Sequence, residues 1–279
     1  MTNKDLVSVI TISYNQQNFI EDTIKSVLAQ NYPNIEYIII DAGSHDGSRD
    51  IIMKYQDQIN KIIFEKDDGP GDGLNKGFKI AKGDIICWLN SDDILLNDSI
   101  EKIVQTFNGN NNVDVVYGNA WIIDQYGNRV RKFYSDKFNT TMALYGASII
   151  SQQSTFIKKK SYLKTCGFNE HNKISWDSEL FLDLALNGSK FYKINDFLSS
   201  LRIHDEGITG SRLHNEKMND EQKKILSRVK KRKFNNMDYI INYFFHFYRK
   251  LLNLRDTFER IKKGPVNKAN MHYKSKNKY

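Results

Sequence analysis

The amino-acid sequence predicts an α/β protein with three layers around a mostly parallel central sheet, followed by a helical basic C-terminal tail. Three observations carry this. Apolar strand-like runs alternate with amphipathic helical segments, the links between them are short, and turn residues gather at the carboxyl end of each run.

Taken in order, LVSVITISYN (6–15) is β-branched and almost continuously apolar, the pattern of a strand covered on both faces. NFIEDTIKSVLAQNYP (18–33) sets Phe19, Ile20, Ile24, Val27 and Leu28 at helical spacing, and Pro33 stops it. IEYIIIDAGSHDGS (35–48) is a second strand running into a Gly/Ser/Asp turn, SRDIIMKYQDQI (48–59) a second helix and KIIFEKDDG (61–69) a third strand. The glycine-rich GPGDGLNKG (69–77) reads as a loop leading to a helix that reaches Ala81, and KGDIICWLNSDD (82–93) as a strand ending in paired acids. VDVVYGNAWIID (113–124) and NRVRKFY (128–134) form a hairpin. SQQSTFIKKKSYLKTCGFNE (151–170) opens a second half, SWDSELFLDLALNG (175–188) is a helix with a glycine stop, and KFYKINDFLSSLRIHDEGITGS (190–211) returns to strand. The expected organisation is one domain over 1–215 with halves of about 1–120 and 121–215, a helical basic segment over 216–264, and a disordered tail over 265–279.

Charge is distributed unevenly. The chain carries a net +8, but residues 217–279 hold 18 Lys/Arg against 5 Asp/Glu, so the body before them is mildly acidic. Nucleic acid is therefore excluded as a partner of the body. The N-terminal residues show no signal-peptide pattern, and no apolar run reaches the roughly 18 residues of a spanning helix. With no CxxC spacing, Cys87 and Cys166 read as reduced thiols, and the expected location is the cytoplasm.

Several clusters carry chemistry. Asp92 and Asp93 repel one another at the end of an apolar strand. A carboxylate there can hold Mg²⁺ or Mn²⁺ against a diphosphate, or Asp93 can simply cap the following helix. GPGDGLNKG is GxGxxxG after the third strand, and the first strand–helix turn lacks glycine, which argues against a dinucleotide site of the Rossmann kind. Asp41, with Asp46 five residues on, is either ordinary turn chemistry or an acceptor for a base or ribose. Asp177 and Glu179 open a helix, where acids suit the dipole without any further role, and His204 lies in a loop-like RIHDEG.

As a group these residues resemble the family 2 inverting glycosyltransferases, which have the GT-A fold. The stretches that carry the resemblance are VSVITISYNQQNFIEDTIKSVLAQNYPNIEYIIIDAGSHDGSRDII, DDGPGDGLNKGFKIAKGDIICWLNSDD, QQSTFIKKKSYLKTCGFNE and SWDSELFLDLALNG, over 7–211. It is closest to bacterial enzymes that assemble surface polysaccharides. The resemblance implies that Thr11, Ser13, Tyr14, Asn15 and Asp41 line the pocket for base and ribose of a nucleotide sugar, a UDP-sugar being favoured. It places Asp68, Gly69, Asn75 and Lys76 near the donor. Asn90, Ser91 and Asp92 stand at the family's Asp-x-Asp motif, with Asp92 on the divalent metal and Asp93 supporting the donor turn. Asp177 falls at the catalytic base, and His204 at a histidine that joins the metal in some members. Asn90 replaces the first Asp of the motif, and Asp183 stands where many relatives have Arg. The implied reaction transfers a sugar to a hydroxyl of a glycan or lipid-linked saccharide. The competing reading is a non-catalytic nucleotide-sugar-binding or assembly subunit.

In the tail, DYIINYFFHFYRKLLNLRDTFERIKK (238–263) puts Ile241, Phe244, Phe245, Tyr248, Leu251, Leu252 and Phe258 on one helical stripe with basic neighbours. Such a stripe suits peripheral contact with the cytoplasmic face of an anionic membrane, and equally suits packing on the body or a homodimer interface.

Overall fold

The structure, a computed structural model, describes residues 5–204, 207 and 214–264, with the side chains of 214–216 left out. The expected disordered tail at 265–279 lies outside the described residues. The first half runs β1 (Val7–Ser13), α1 (Ile20–Leu28), β2 (Ile35–Asp41), α2 (Ser48–Met53), β3 (Lys61–Phe64), α3 (Pro70–Ile80) and β4 (Ile85–Asn90). It continues through β5 (Ile94–Leu95), α4 (Ser99–Gly109) and the hairpin β6 (Val115–Ile123) and β7 (Arg129–Phe133). Then follow α5 (Thr140–Leu144), β8 (Thr155–Lys158), α6 (Lys159–Tyr162), α7 (Trp176–Leu186) and β9 (Phe191–Arg202).

One nine-stranded sheet results, in the order β3-β2-β1-β4-β8-β6-β9-β5, with β7 on β6. The pairs β1–β2, β1–β4, β2–β3 and β6–β9 are parallel, while β8 runs antiparallel between β4 and β6, β7 antiparallel to β6 and β5 antiparallel to β9. The apolar runs are explained by burial on both faces. On one face Val7, Val9, Ile39, Ile85, Cys87 and Leu89 pack with α1 and α4 residues such as Ile24 and Ile103. On the other, Ile10, Ile38, Ile40, Ile86 and Trp88 pack with Leu74 and Phe78 of α3 and Leu180 of α7. Each such fully buried side chain contributes about 1.5–3 kcal/mol of transfer free energy.

The glycine-rich stretch is not a loop. Pro70 occupies the first turn of α3, and the helix runs through the glycines. A Cβ on Gly77 would sit 2.6 Å from Ile10 Cγ2, so glycine at this position lets α3 lie directly on β1. The glycines therefore serve close packing, which spacing alone does not distinguish from a flexible loop.

At the C-terminus α8 (His214–Lys230), α9 (Asn236–Leu252) and α10 (Leu254–Lys263) dock on the body. Leu226, Ile241 and Phe245 join Leu144, Tyr145 and Leu182 in a small core. Arg249 Nε lies 2.6 Å from Asp136 Oδ2 and its Nη2 3.0 Å from Asp256 Oδ2, a largely buried charge relay across α9, α10 and the body. The single stripe expected from the sequence is thus divided. Ile241 and Phe245 turn inward, while Phe244, Tyr248, Leu251, Leu252 and Phe258 are exposed.

Candidate active site

The carboxyl ends of β1, β2 and β4 lie side by side, because Ser13 pairs with Asp41 and Ile12 with Asn90. Tyr14 stands out from this edge, 56% exposed, with its ring edge-on to His45. Asn15 adopts a left-handed φ of 51°, which lets its backbone N–H donate to Ser44 Oγ at 2.8 Å and its side chain accept from His45 N–H at 3.1 Å. Two buried polar atoms on this edge, Ser13 Oγ and Asn90 Oδ1, have no hydrogen-bond partner among the described residues. Such atoms are completed by water or by a ligand.

Four residues expected against the donor are bonded to protein groups, three of them (Thr11, Asp41 and Asp93) fully buried and Asn75 half-buried. Thr11 is fully buried and bonds the Tyr37 hydroxyl at 3.1 Å. Asp41 is fully buried and accepts from Gly43 N–H, Ser44 N–H, Ser44 Oγ and Arg49 Nε. Burial works to raise its pKa, but the hydrogen bonds from Ser44, Arg49 and Gly43 outweigh it and hold the carboxyl low. Asn75 bonds the backbone N–H and C=O of Phe168, both at 2.9 Å, and so fastens α3 to the loop of the second half. Asp93 has no exposed surface, and its carboxylate accepts from the Arg202 N–H at 3.0 Å and from Gln153 Nε2 at 2.9 Å. Lys76 is likewise occupied, by Glu65, Asp72 and the Lys66 carbonyl. These side chains build the edge, and sequence spacing fixes the edge a residue occupies without fixing the direction it faces.

The paired acids are resolved by β9. Arg202, whose side chain is almost fully buried, donates from Nε to the Asp92 carbonyl at 2.8 Å, from Nη1 to the Gln125 carbonyl at 3.2 Å and from Nη2 to Asp22 Oδ2 at 2.9 Å. Burial first, and Asp92 second, push the Asp93 carboxyl well above its ordinary pKa. Asn90 Nδ2 also donates to Asp93 Oδ2 at 3.3 Å, so the departure from Asp at 90 removes what would be a third carboxylate beside Asp92 and Asp93. Ser91 is buried in the turn. Asp92 keeps its side chain 20% exposed, and its Oδ2 lies 3.0 Å from Nε2 of buried His204, whose ring packs on Phe19. No group of three or more His, Cys, Asp or Glu that could hold a metal occurs among the described residues.

Asp177 is the second residue of α7, and that helix is tied to β4 by Phe181 on Trp88. Its carboxylate is held by the adjacent Ser178 N–H at 2.7 Å, and burial pushes its pKa up. Glu179, by contrast, is buried and occupied by Asn169 and Asn172. Asp68 is exposed, and its carbonyl accepts from Lys173 Nζ. Gly69 has φ of 121°, and a Cβ there would lie 3.0 Å from the same ammonium. Sequence reasoning missed Arg202, Lys173, Gln152 and Gln153. Only Arg202 had a signal, since residues two apart on an extended chain share a face and His204 was already a candidate.

The profile of glycosyl transferase family 2 matches residues 8–166. The chain belongs to this family. The glycosyltransferase is 30% identical over 220 residues to an uncharacterized glycosyltransferase of Rickettsia typhi, covering 76% of this chain and 69% of that protein. It is also 30% identical over 224 residues to the putative teichuronic acid biosynthesis glycosyltransferase TuaG of Bacillus subtilis, covering 76% and 85%. Among solved structures, residues 1–349 of S. aureus TarS in complex with UDP-GlcNAc superpose with a TM-score of 0.67 at 17% identity, covering 92% of this chain and 74% of that one. The mannosyltransferase PcManGT of Pyrobaculum calidifontis in complex with GDP-Man and Mn²⁺ gives 0.65 at 17% identity, covering 100% and 77%. The fold is the GT-A fold expected from the sequence, with the C-terminal helices added.

Removing the Arg202 guanidinium leaves the half-buried Asp92 and Gln125 carbonyls without their donor and takes the cation away from Asp93. Arg202→Met is therefore expected to lower stability by about 3 kcal/mol in urea denaturation, while Asp92→Asn, at a partly exposed position, changes it by less than about 1 kcal/mol. Equal stability of Arg202→Met and the unmodified protein contradicts this reading of the turn.

Proposed function

We propose that this glycosyltransferase transfers a sugar, with inversion, from a nucleotide-diphosphate sugar to a hydroxyl of a glycan or lipid-linked saccharide during bacterial surface-polysaccharide synthesis. A UDP-sugar is the favoured donor. The observation that carries the reading is the contact between Asp92 and His204 at the end of β4, beside the unpartnered Ser13 Oγ and Asn90 Oδ1. The relatives give support: TuaG is named for teichuronic acid biosynthesis, TarS is solved with UDP-GlcNAc and PcManGT with GDP-Man and Mn²⁺.

Asp92 Oδ2 and His204 Nε2 would hold Mn²⁺ or Mg²⁺, a carboxylate oxygen and an imidazole nitrogen being donors such a cation accepts. When bound, such an ion neutralises charge on the departing diphosphate. The other steps belong to the chain. Tyr14 offers its exposed ring to the base, and Ser13 Oγ and Asn90 Oδ1 complete their hydrogen bonds on the donor. Gly69 lets the backbone beside Asp68 come close to it, with Lys173 folded over that segment. Asp177 removes the proton of the acceptor hydroxyl as that oxygen attacks the anomeric carbon and the bond to diphosphate breaks. One displacement inverts the centre, and no covalent enzyme intermediate forms.

Burial suits Asp177 to this role by raising its affinity for a proton. The group accepts a proton only when ionised, so turnover falls as pH drops through a pKa above the ordinary carboxylate range. Asp177→Asn is expected to cut turnover at least about a hundredfold and to abolish that acidic limb. Undiminished turnover in the variant contradicts the assignment.

The exposed face of α9 supports peripheral contact with an anionic membrane. Tyr243, Phe247 and Leu251, one turn apart, are 77%, 54% and 55% exposed, with Lys230, Lys231 and Lys233 upstream. No helix among the described residues is long and apolar enough to cross a membrane. Deleting the C-terminal helices is a poor test, because Asp136 would lose Arg249. Changing Tyr243, Phe247 and Leu251 to Ser together should release the protein from phosphatidylglycerol vesicles at low salt and leave donor hydrolysis intact. If the unmodified protein ignores such vesicles, this contact is refuted, and a shift from dimer to monomer in the triple variant assigns the face to a homodimer.

A further inference from the structure

We propose that Arg228 of α8 is a positioning residue for Asp177, providing the cation that buried Glu179 needs and thereby fixing the segment from which α7 starts. The proposal rests on Asp177 being the base.

The connection can be followed atom by atom. Arg228 Nη2 lies 3.2 Å from Glu179 Oε1 and 2.8 Å from Asp183 Oδ1, and its Nη1 lies 3.4 Å from Asp183 Oδ2. One guanidinium thus spans two acids a turn apart on α7. Glu179 Oε2 accepts from Asn172 Nδ2 at 2.8 Å and from Asn169 Nδ2 at 3.1 Å. Asn172 Oδ1 in turn accepts the backbone N–H groups of Ile174 at 3.2 Å and Ser175 at 2.9 Å, which shape the turn immediately before Trp176 and Asp177. The far end of the same loop is held to α3 through Asn75 and Phe168. The segment carrying Asp177 is therefore fastened on one side by α3 and on the other by a side chain from the C-terminal helices.

Chemistry sets the direction of this dependence. The Glu179 side chain is 6% exposed, and a buried carboxylate left with only amide donors loses much of its compensation. Arg228 is half-exposed, so removing it leaves little cavity and the body keeps its core. The acid at 183 also acquires an explanation. Its cation arrives from α8, so the position carries Asp rather than Arg. An Arg at 183 would stand four residues after Glu179, on the same helical face, and would bring the positive charge back from within α7.

The test is steady-state kinetics of transfer with the full-length protein. Arg228→Met is expected to lower kcat about tenfold with donor KM changed less than about twofold, since misplacing a reacting group by a fraction of an ångström has costs of this order. Combining Arg228→Met with Asp183→Arg should recover most of the lost kcat. A full kcat in Arg228→Met overturns the proposal, as does a loss that the double variant does not recover while both proteins unfold at the same temperature. Asp177→Asn run in parallel separates the two claims. If it retains turnover, the base assignment falls and this proposal with it. If it is inactive while Arg228→Met is fully active, only the positioning role falls.

Discussion

The site depends on the placement of one buried guanidinium. Asp92 and Asp93 follow one another at the end of a strand buried on both faces, where water is scarce and like charges repel. Arg202, at the end of β9, crosses beneath the turn, bonds the Asp92 carbonyl and brings its own N–H to Asp93. Asp93 is thereby taken into the interior and Asp92 is left at the surface with His204 two residues beyond Arg202. A strand of the second half must lie in the right register for this to happen. The parallel pairing of β6 and β9, and the short pairing of β5 with β9, provide that register. The acid turn is therefore a product of the whole sheet.

Each remaining part of the site is held in a comparable way, by residues distant in sequence. Asn15 and Ser44 join the ends of β1 and β2, Asn75 joins α3 to the loop before α7, and Arg228 joins α8 to α7. The C-terminal helices are integrated by the relay of Arg249, Asp136 and Asp256. Their inner face belongs to the folded body, and α9 keeps an exposed apolar face with Tyr243, Phe247 and Leu251.

Much of this was legible in the sequence, and the reasons are physical. Burial on both faces writes uninterrupted β-branched runs, so β1, β2 and β4 announce themselves, and acids or small residues after each run mark the ligand edge. The split of the C-terminal stripe was hidden, because Phe244 and Phe245 look alike until a partner surface selects one of them. The protein partners of Thr11, Asp41, Asn75 and Asp93 are not legible in the sequence, since hydrogen-bond saturation is decided by neighbours far along the chain. Gly77 reads as a loop glycine in the sequence because close helix–strand approach and flexibility ask for the same residue. Arg202, Lys173 and Arg228 are single basic residues without a diagnostic spacing, and only three-dimensional proximity reveals them.

In the function proposed above, Asp92 and His204 hold a divalent cation against a nucleotide diphosphate. Calorimetric titration of UDP into the protein, with Mn²⁺ and with chelator, addresses it directly in the unmodified chain and in Asp92→Asn and His204→Gln. Mn²⁺ is expected to tighten UDP binding at least about tenfold, and either substitution to remove this gain while the protein stays folded. UDP binding of equal strength with and without Mn²⁺ in the unmodified protein would contradict it.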